Sequence, residues 1–147
     1  MTGRSADVGV IGLGYVGLPL AGAFVDAGMR VVGFDIDRAK AEHFAAGRTY
    51  LRHLGADFVL RLRDSGRMDV TTDFDRLAEC GAVLVCVPTP LGPGREPDLS
   101  YVERTCEEIA SRLGRGQLVV LESTTYPGTT REVVLPILEA GSGLKVG

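Results

Sequence analysis

The stretch D-V-G-V-I-G-L-G-Y-V-G-L-P-L-A, residues 7–21, decides the fold of this chain together with V-V-G-F-D-I-D at residues 31–37. The first stretch opens with an apolar run that predicts a short buried strand, and three glycines follow with the spacing G-x-G-x-x-G. An apolar, helix-like segment continues from the glycines, and the second stretch is a further buried strand that ends in Asp35. A strand, a glycine turn, a helix and a strand ending in an acid are typical of a dinucleotide-binding unit.

Each glycine of this turn has a physical task in holding a dinucleotide. Gly12 lets the strand turn sharply into the helix, because glycine adopts backbone angles that are closed to other residues. Gly14 has no side chain, so the pyrophosphate can approach the backbone, and Gly17 lets the helix pack closely on the sheet. The N–H groups of Tyr15 and Val16 then point at the phosphates, aided by the positive end of the helix dipole.

Asp35 predicts which dinucleotide binds. A carboxylate at the end of the second strand accepts hydrogen bonds from the adenosine ribose hydroxyls of NAD and repels the 2′-phosphate of NADP. Arg38 and Lys40 are close enough in sequence to leave NADP open, but NAD is favoured. The alternative is a glycine-rich turn without a ligand, which a chain with 20 glycines could contain by chance.

The composition describes one globular domain. The chain has 147 residues, of which 45% are hydrophobic and 24% charged, so it is long enough to bury its own core. Its net charge of −3 gives no attraction for nucleic acid or for anionic membranes. No apolar stretch approaches the roughly 20 residues that span a bilayer. The first residues lack the apolar core of a signal peptide, which predicts a cytoplasmic location.

The cysteines and histidines do not predict a metal site. Cys80, Cys86 and Cys106 show neither a metal-ligand spacing nor a pairing pattern. Cys86 lies in the apolar run A-V-L-V-C-V, so it is expected to be a small core residue and not a catalytic thiol. His43 and His53 are isolated, which argues against a metal site and against a catalytic triad.

Apolar runs alternate with helical segments along the chain. This alternation predicts an α/β fold of the Rossmann type, with a doubly wound, mainly parallel sheet and helices on both faces. About six strands are expected in the order 3-2-1-4-5-6, the last of them at Leu144–Val146. Capping residues predict three helix starts, at Asp73, at Ser100 with Glu103, and at Thr129 with Glu132.

Two loops at the carboxyl edge of this sheet are predicted to reach the cofactor. The loop P-T-P-L-G-P-G-R-E-P-D, residues 88–98, holds four prolines and leaves a strand that neighbours the first, so Thr89 is placed in the site. The alternative is a stiff surface loop. The second loop, E-S-T-T-Y-P-G-T-T-R-E at residues 122–132, carries Ser123, Thr124 and Thr125 at the edge where ligands bind in open α/β sheets.

Five separated segments carry a resemblance to a known family: G-L-G-Y-V-G-L-P-L-A (12–21), G-F-D-I-D (33–37), C-V-P-T-P-L (86–91), E-P-D-L-S-Y-V (96–102) and E-S-T-T-Y-P-G-T-T-R-E (122–132). Together they resemble the N-terminal NAD-binding domain of the UDP-glucose/GDP-mannose dehydrogenase family. The motifs are most similar to those of the UDP-N-acetylglucosamine/UDP-N-acetylmannosamine 6-dehydrogenase branch, and the resemblance covers essentially the whole chain.

The resemblance implies an oxidoreductase that turns the C6 hydroxymethyl of a UDP-sugar into a carboxylate and reduces two NAD. A cysteine thiolate carries the aldehyde as a thioester in the second oxidation. Thr125 matches a threonine that places the reactive water beside the nicotinamide, and Thr89 matches a threonine that contacts the cofactor. The other residues that match cofactor-binding positions of the family are Gly12, Gly14, Tyr15, Val16, Gly17, Asp35 and Lys40.

Members of this family are longer than the present chain. The resemblance implies that the catalytic cysteine and lysine, a central helix and a C-terminal sugar-nucleotide domain follow the equivalent of Gly147. Residues 1–147 are therefore expected to be the NAD-binding Rossmann domain at the N-terminal end of a longer dehydrogenase, inactive alone, whose complete form is a homodimer or a higher homo-oligomer.

Two other functions stay open at this point. The chain could be a free-standing NAD-binding module that senses redox state and performs no chemistry. It could also be the cofactor domain of a relative of the 6-phosphogluconate or 3-hydroxyacid dehydrogenases, which share the glycine motif. Membership of those families does not account for the motif S-T-T-Y-P-G-T-T at residues 123–130.

Overall fold

A computed structural model describes residues 3–147, whose centre is a sheet of parallel strands. The strands are β1 (Ala6–Ile11), β2 (Val31–Phe34), β3 (Met68–Thr71), β4 (Cys80–Val85) and β5 (Leu118–Leu121). The α-helices are α1 (Gly17–Asp26), α2 (Arg38–Ala45), α3 (Ala56–Asp64), α4 (Ser100–Ala110) and α5 (Leu135–Ser142). A 3₁₀ helix at Phe74–Glu79 precedes β4, and a π-helical turn at Thr130–Val134 leads into α5.

The strands are arranged in the order β3-β2-β1-β4-β5, and every pairing is parallel. β1 is the central strand, and it can be buried on both sides because it is almost entirely apolar. Its last residue, Ile11, pairs with Phe34 of β2 and with Val85 of β4. The strand order reverses beside β1, so the carboxyl ends of β1, β2 and β4 form a crevice there. The predicted doubly wound parallel fold is confirmed.

An apolar core lies on each face of the sheet. One core joins the sheet to α1, α2 and α3, and includes Val10, Leu18, Phe44, Val59 and Leu62. The other core joins the sheet to α4 and α5, and includes Phe34, Val85, Val102, Ile109 and Leu138. Helices from the first and the second half of the chain thereby cover the two faces of the sheet. No helix of residues 3–147 has the length and apolar character that crossing a membrane requires.

The predicted sixth strand at Leu144–Val146 is wrong, since no strand follows α5 within the described residues. The backbone N–H of Leu144 donates to the Ser142 hydroxyl at 3.1 Å, and that of Val146 donates to the Glu139 carboxylate at 3.1 Å. Side chains at the end of α5 thus take the donors that an added strand would use to pair with β5.

The two predicted capping boxes are also wrong. Ser100 is the first residue of α4, and its own N–H donates to the Asp98 carboxylate at 2.9 Å. An aspartate two residues before a backbone N–H forms such a turn readily, and it takes over the capping role. The Thr129 hydroxyl donates backward to the Tyr126 carbonyl at 2.7 Å instead of accepting from the helix. Asp73 caps the 3₁₀ helix, as predicted.

Candidate functional site

A cavity of about 1180 Å³ opens at the crevice where the strands end. It runs from the glycine turn after β1, past the ends of β2 and β3, to the loops after β4 and β5, with α4 as one wall. Most of the predicted cofactor-binding residues line it, namely Gly12, Gly14, Tyr15, Val16, Asp35, Lys40 and Thr89. The fold therefore brings together residues that are far apart in the sequence.

The glycine turn has the shape that the sequence predicts. Gly12 has a φ of +90°, and a Cβ atom there would lie 2.5 Å from the Cys86 carbonyl oxygen. Gly17 does not line the cavity; it begins α1, where a Cβ atom would overlap the Gly12 carbonyl oxygen. A Cβ atom on Gly14 would meet no atom within 4 Å, because this residue faces the open cavity. Gly12 and Gly17 thus shape the turn, and Gly14 leaves space for a ligand.

The Asp35 carboxylate connects three parts of the site. Its Oδ2 atom accepts from the Leu13 backbone N–H and from Lys40 Nζ, both at 2.9 Å, and its Oδ1 atom accepts from the Asp37 N–H at 3.0 Å. The residue is only 7% exposed. Asp35 therefore ties the glycine turn and the start of α2 to the end of β2, in addition to lining the cavity.

Tyr50 supports the turn from outside the cavity, and the sequence does not predict this contact. Its hydroxyl donates to the Leu13 carbonyl at 2.7 Å, and the Lys40 ammonium lies 5.7 Å from its ring centroid. Burial, together with the nearby Asp35 and Asp37 carboxylates, raises the pKa of Tyr50, so the hydroxyl stays a neutral donor. No local pattern signals a contact between residues 37 positions apart.

The exposed side of the turn carries a second aromatic contact. Tyr15 is 74% exposed, and its ring stacks on His53 with 5.1 Å between centroids and 16° between planes. Both Tyr50 and His53 belong to the segment 47–55, which the sequence presents only as a connection between two helices. This segment is a support for the glycine turn.

Replacing Tyr50 with phenylalanine is expected to lower the free energy of unfolding by about 0.5–1.5 kcal/mol, the net contribution of one hydrogen bond. The ring and its contacts remain, so the loss reports the bond to Leu13. Urea unfolding of residues 1–147 measures it. Tyr126→Phe is the matched control, because the Tyr126 hydroxyl makes no hydrogen bond to another described residue. Equal stability of both variants would contradict the role given to Tyr50.

Hydroxyl groups cross-link the loops after β4 and β5. Thr89 donates to the Thr124 carbonyl at 2.7 Å, and Ser123 donates to the Val87 carbonyl at 2.8 Å. Thr89 lines the cavity, and its hydroxyl proton is donated to the neighbouring loop. A ligand at this end therefore meets two loops that are held together as one unit.

Thr125 lies apart from the other predicted site residues. It lines a separate cavity of about 690 Å³ together with Tyr126, Arg131 and Val146. Its neighbour Thr124, which the family resemblance did not single out, lines the larger cavity. The two neighbouring threonines of this loop thus line different cavities.

The cysteines are protonated packing residues in this fold. Burial raises the pKa of Cys80, Cys86 and Cys106 to about 11 each, and the Glu122 carboxylate adds to the effect at Cys86. Cys86 packs on the core but is only partly buried, because it also lines the cavity, whereas the sequence predicts a buried core residue. Within residues 3–147, no three side chains of His, Cys, Asp or Glu come together in a group that could hold a metal ion.

Comparison with known proteins gives matches over nearly the whole chain. Residues 6–147 match the model of the UDP-glucose/GDP-mannose dehydrogenase family, NAD binding domain. The UDP-N-acetyl-D-glucosamine 6-dehydrogenase of Pseudomonas aeruginosa is 38% identical over 97% of this chain and 33% of its own length. The UDP-N-acetyl-D-mannosamine dehydrogenase of Pyrococcus horikoshii is 38% identical over 95% of this chain and 33% of its own length. The chain thus spans about a third of the length of these relatives.

Solved structures show the same similarity. A ternary complex of GDP-mannose dehydrogenase from Pseudomonas aeruginosa superposes with a TM-score of 0.89 at 33% identity, over 94% of this chain and 33% of that one. The UDP-D-ManNAc dehydrogenase of Pyrococcus horikoshii gives a TM-score of 0.87 at 38% identity, over 96% of this chain and 34% of that one. A diketoreductase, at 18% identity and a TM-score of 0.62, shares the fold alone.

Proposed function

Because the chain belongs to the UDP-glucose/GDP-mannose dehydrogenase family as its NAD-binding domain, we propose that it serves an enzyme that oxidises the C6 hydroxymethyl of a UDP-N-acetylhexosamine to a carboxylate. The observation that supports this most is the single cavity lined by the glycine turn, by Asp35 and by both hydroxyl-bearing loops. A redox sensor that performs no chemistry would need only the glycine turn and Asp35. The loops after β4 and β5 add polar groups where a substrate would meet the nicotinamide.

Three features of the cavity support NAD as its ligand. The open space beside Gly14 admits the pyrophosphate, and the start of α1 directs its dipole toward it. Asp35 directly follows β2, where the adenosine ribose belongs in this fold, and the Lys40 ammonium of α2 pairs with it at 2.9 Å. The opposite end, at Thr89 and Thr124, is left for the nicotinamide. NAD supplies the hydride acceptor of the reaction, and these residues orient it and shield it from water.

The thiolate of the second oxidation is proposed to come from outside these residues. A nucleophilic cysteine is one whose pKa is lowered, whereas the pKa values of Cys80, Cys86 and Cys106 are raised. We therefore propose a division of labour, in which this domain binds the cofactor and the remaining two thirds of a longer protein supply the covalent chemistry. The cytoplasmic location and the homo-oligomeric state of the complete enzyme stay predictions.

The choice of sugar rests on the relatives. Both curated relatives compared above are named for N-acetylated hexosamines, and they share 38% identity with this chain. Relatives named for N-acetylated hexosamines are 34% to 38% identical to this chain, and two GDP-mannose 6-dehydrogenases are 34% and 35% identical. The two relatives at 38% identity support a UDP-N-acetylhexosamine as the substrate class.

Steady-state assays test the proposal. Residues 1–147 alone are expected to bind NAD without forming NADH from UDP-N-acetylglucosamine or UDP-N-acetylmannosamine. A polypeptide that also carries the remaining two thirds found in the relatives is expected to form two NADH per sugar. Turnover by residues 1–147 would contradict the division of labour, and oxidation of GDP-mannose in preference to both UDP-sugars would contradict the substrate class.

A further inference from the structure

Among the described residues, none forms a backbone hydrogen bond with Tyr15 of the glycine turn. The carbonyls on either side of it, those of Gly14 and Val16, accept N–H groups of the first turn of α1 at 3.2 Å and 3.0 Å. The Tyr15 carbonyl has no such donor, because the residue four positions ahead is Pro19, which has no N–H. The backbone of Tyr15 is therefore held through its two neighbours, although this residue lines the cavity.

The side chain of Tyr15 makes a contact of a kind that its backbone lacks. Its ring stacks on His53 in a nearly parallel arrangement, with 5.1 Å between the ring centroids. This separation lies within the range that stacked aromatic rings prefer. Neither the Tyr15 hydroxyl nor the His53 imidazole forms a hydrogen bond with another residue of 3–147. The stack is thus the contact that sets the direction of Tyr15.

An anchored turn presents His53 to the glycine turn. Leu51, two residues before it, is buried in the core that joins the sheet to α1, α2 and α3. The Leu51 N–H donates to the Thr49 hydroxyl at 3.1 Å, and the Leu54 N–H donates to the Leu51 carbonyl at 3.0 Å. His53 therefore lies in a closed turn that is fixed on the core, and its ring can order a neighbour whose own backbone is not hydrogen-bonded.

The N–H groups of Tyr15 and Val16 are the donors that this order affects. Neither N–H donates to another described residue, and both adjoin the open space beside Gly14. Phosphate oxygens bind to free N–H groups at the start of a helix. The apparent affinity of a ligand falls with the fraction of chains whose donors already point in the bound direction. A contact that holds Tyr15 in this direction therefore raises the affinity for a pyrophosphate.

We propose that His53 is a positioning residue for the pyrophosphate, which acts by stacking on Tyr15 and thereby orienting the free N–H groups of the glycine turn. This inference rests on the proposed function, because it concerns NAD in the same cavity. Tyr50 of the same segment has a different task, since its hydroxyl is bonded to the Leu13 carbonyl within the fold. His53 is exposed, so its replacement should lower ligand affinity and leave stability unchanged.

Two variants of His53 separate the stacked ring from the imidazole itself. His53→Ala removes the ring, whereas His53→Phe retains an aromatic ring that stacks on Tyr15. Calorimetric titration of NAD into residues 1–147 is expected to show binding about 3- to 10-fold weaker in His53→Ala, the range of one aromatic stack. His53→Phe is expected to bind NAD within about 2-fold of the unaltered chain. Urea unfolding should give the same midpoint for all three chains.

A neighbouring residue and two smaller ligands make the assignment specific. Arg52→Ala is the matched control, because Arg52 is an exposed residue of the same turn that does not line the cavity, and it should leave NAD affinity unchanged. ADP, which carries the pyrophosphate, should lose affinity for His53→Ala as NAD does. Adenosine, which carries no phosphate, should bind equally to His53→Ala and to the unaltered chain in an NMR titration.

Each possible failure has its own meaning. Unchanged NAD affinity in His53→Ala overturns the inference alone, and so does an equal loss in His53→Phe, in Arg52→Ala or for adenosine. A lower urea midpoint in His53→Ala also overturns it, since the residue would then support the fold. Absence of NAD binding to the unaltered chain overturns the proposed function as well. Circular dichroism checks folding, and His53→Asn, which also lacks the aromatic ring, replaces His53→Ala if that variant is unfolded.

Discussion

Replacing Gly17 with alanine is expected to lower the free energy of unfolding by about 3 kcal/mol or more, the upper range for inserting a group into a packed site. The added Cβ would overlap the Gly12 carbonyl oxygen and lie 3.3 Å from the Cys86 Cβ. Neither neighbour can move away freely, because the Gly12 N–H donates to the Phe34 carbonyl at 2.8 Å and the Cys86 N–H donates to the Ile11 carbonyl at 2.7 Å. The glycine turn would have to shift away from α1, so dinucleotide binding should be lost with the stability.

Gly14→Ala is the matched control for this effect. It adds the same methyl group within the same turn, but its Cβ would meet no atom within 4 Å. Its stability should stay within about 1 kcal/mol of the unaltered chain, as expected for a Gly-to-Ala change that causes no strain. Urea unfolding of both variants makes the comparison. A Gly17→Ala variant as stable as Gly14→Ala would show that close packing at Gly17 is not required.

Replacing Asp35 with alanine is expected to cost both stability and NAD affinity. The Leu13 N–H would lose its buried acceptor, which costs about 1–3 kcal/mol of folding free energy, and the Lys40 ammonium would lose its partner. NAD affinity should fall by about 1.5–3 kcal/mol, the scale of a hydrogen bond to a charged acceptor. The loss arises from the displaced turn and from the missing acceptor at the ribose.

The control for Asp35 is an acid in a surface ion pair. Asp26 pairs with Arg61, and both side chains are about half exposed. Asp26→Ala should change stability by no more than about 1 kcal/mol, as is usual for exposed pairs, and NAD affinity should not change. Urea unfolding and calorimetric titration of both variants provide the numbers. An Asp35→Ala variant with unchanged NAD affinity would remove Asp35 from the cofactor site.

The sequence predicts the sheet and the glycine turn well, because both depend on local patterns. Apolar runs identify β1 and β2, and the spacing of Gly12, Gly14 and Gly17 carries the turn geometry directly. Strand order follows from the general rule for doubly wound sheets once β1 is located. The predicted capping at Ser100 fails because a carboxylate at Asp98 competes for the same backbone donor.

Local sequence patterns do not predict which residues of a loop face the cavity. Thr124 and Thr125 are chemically identical neighbours, and only the folded backbone decides which of them lines the larger cavity. The same holds for Tyr50, whose partner Leu13 is 37 residues away. The degree to which Asp35 is already hydrogen-bonded is likewise a property of the fold. The contacts that refine a site are long-range, whereas the motif that locates it is local.

Titration of NAD into residues 1–147, in the unaltered chain and in Gly14→Ala, tests the central claim most directly. The claim is that the cavity holds the pyrophosphate in the space that Gly14 leaves open. We predict saturable binding of one NAD per unaltered chain, and an affinity about 10- to 100-fold lower in Gly14→Ala, equivalent to roughly 1.4–2.8 kcal/mol. Absence of saturable binding, or equal affinity in two chains of equal stability, would contradict it.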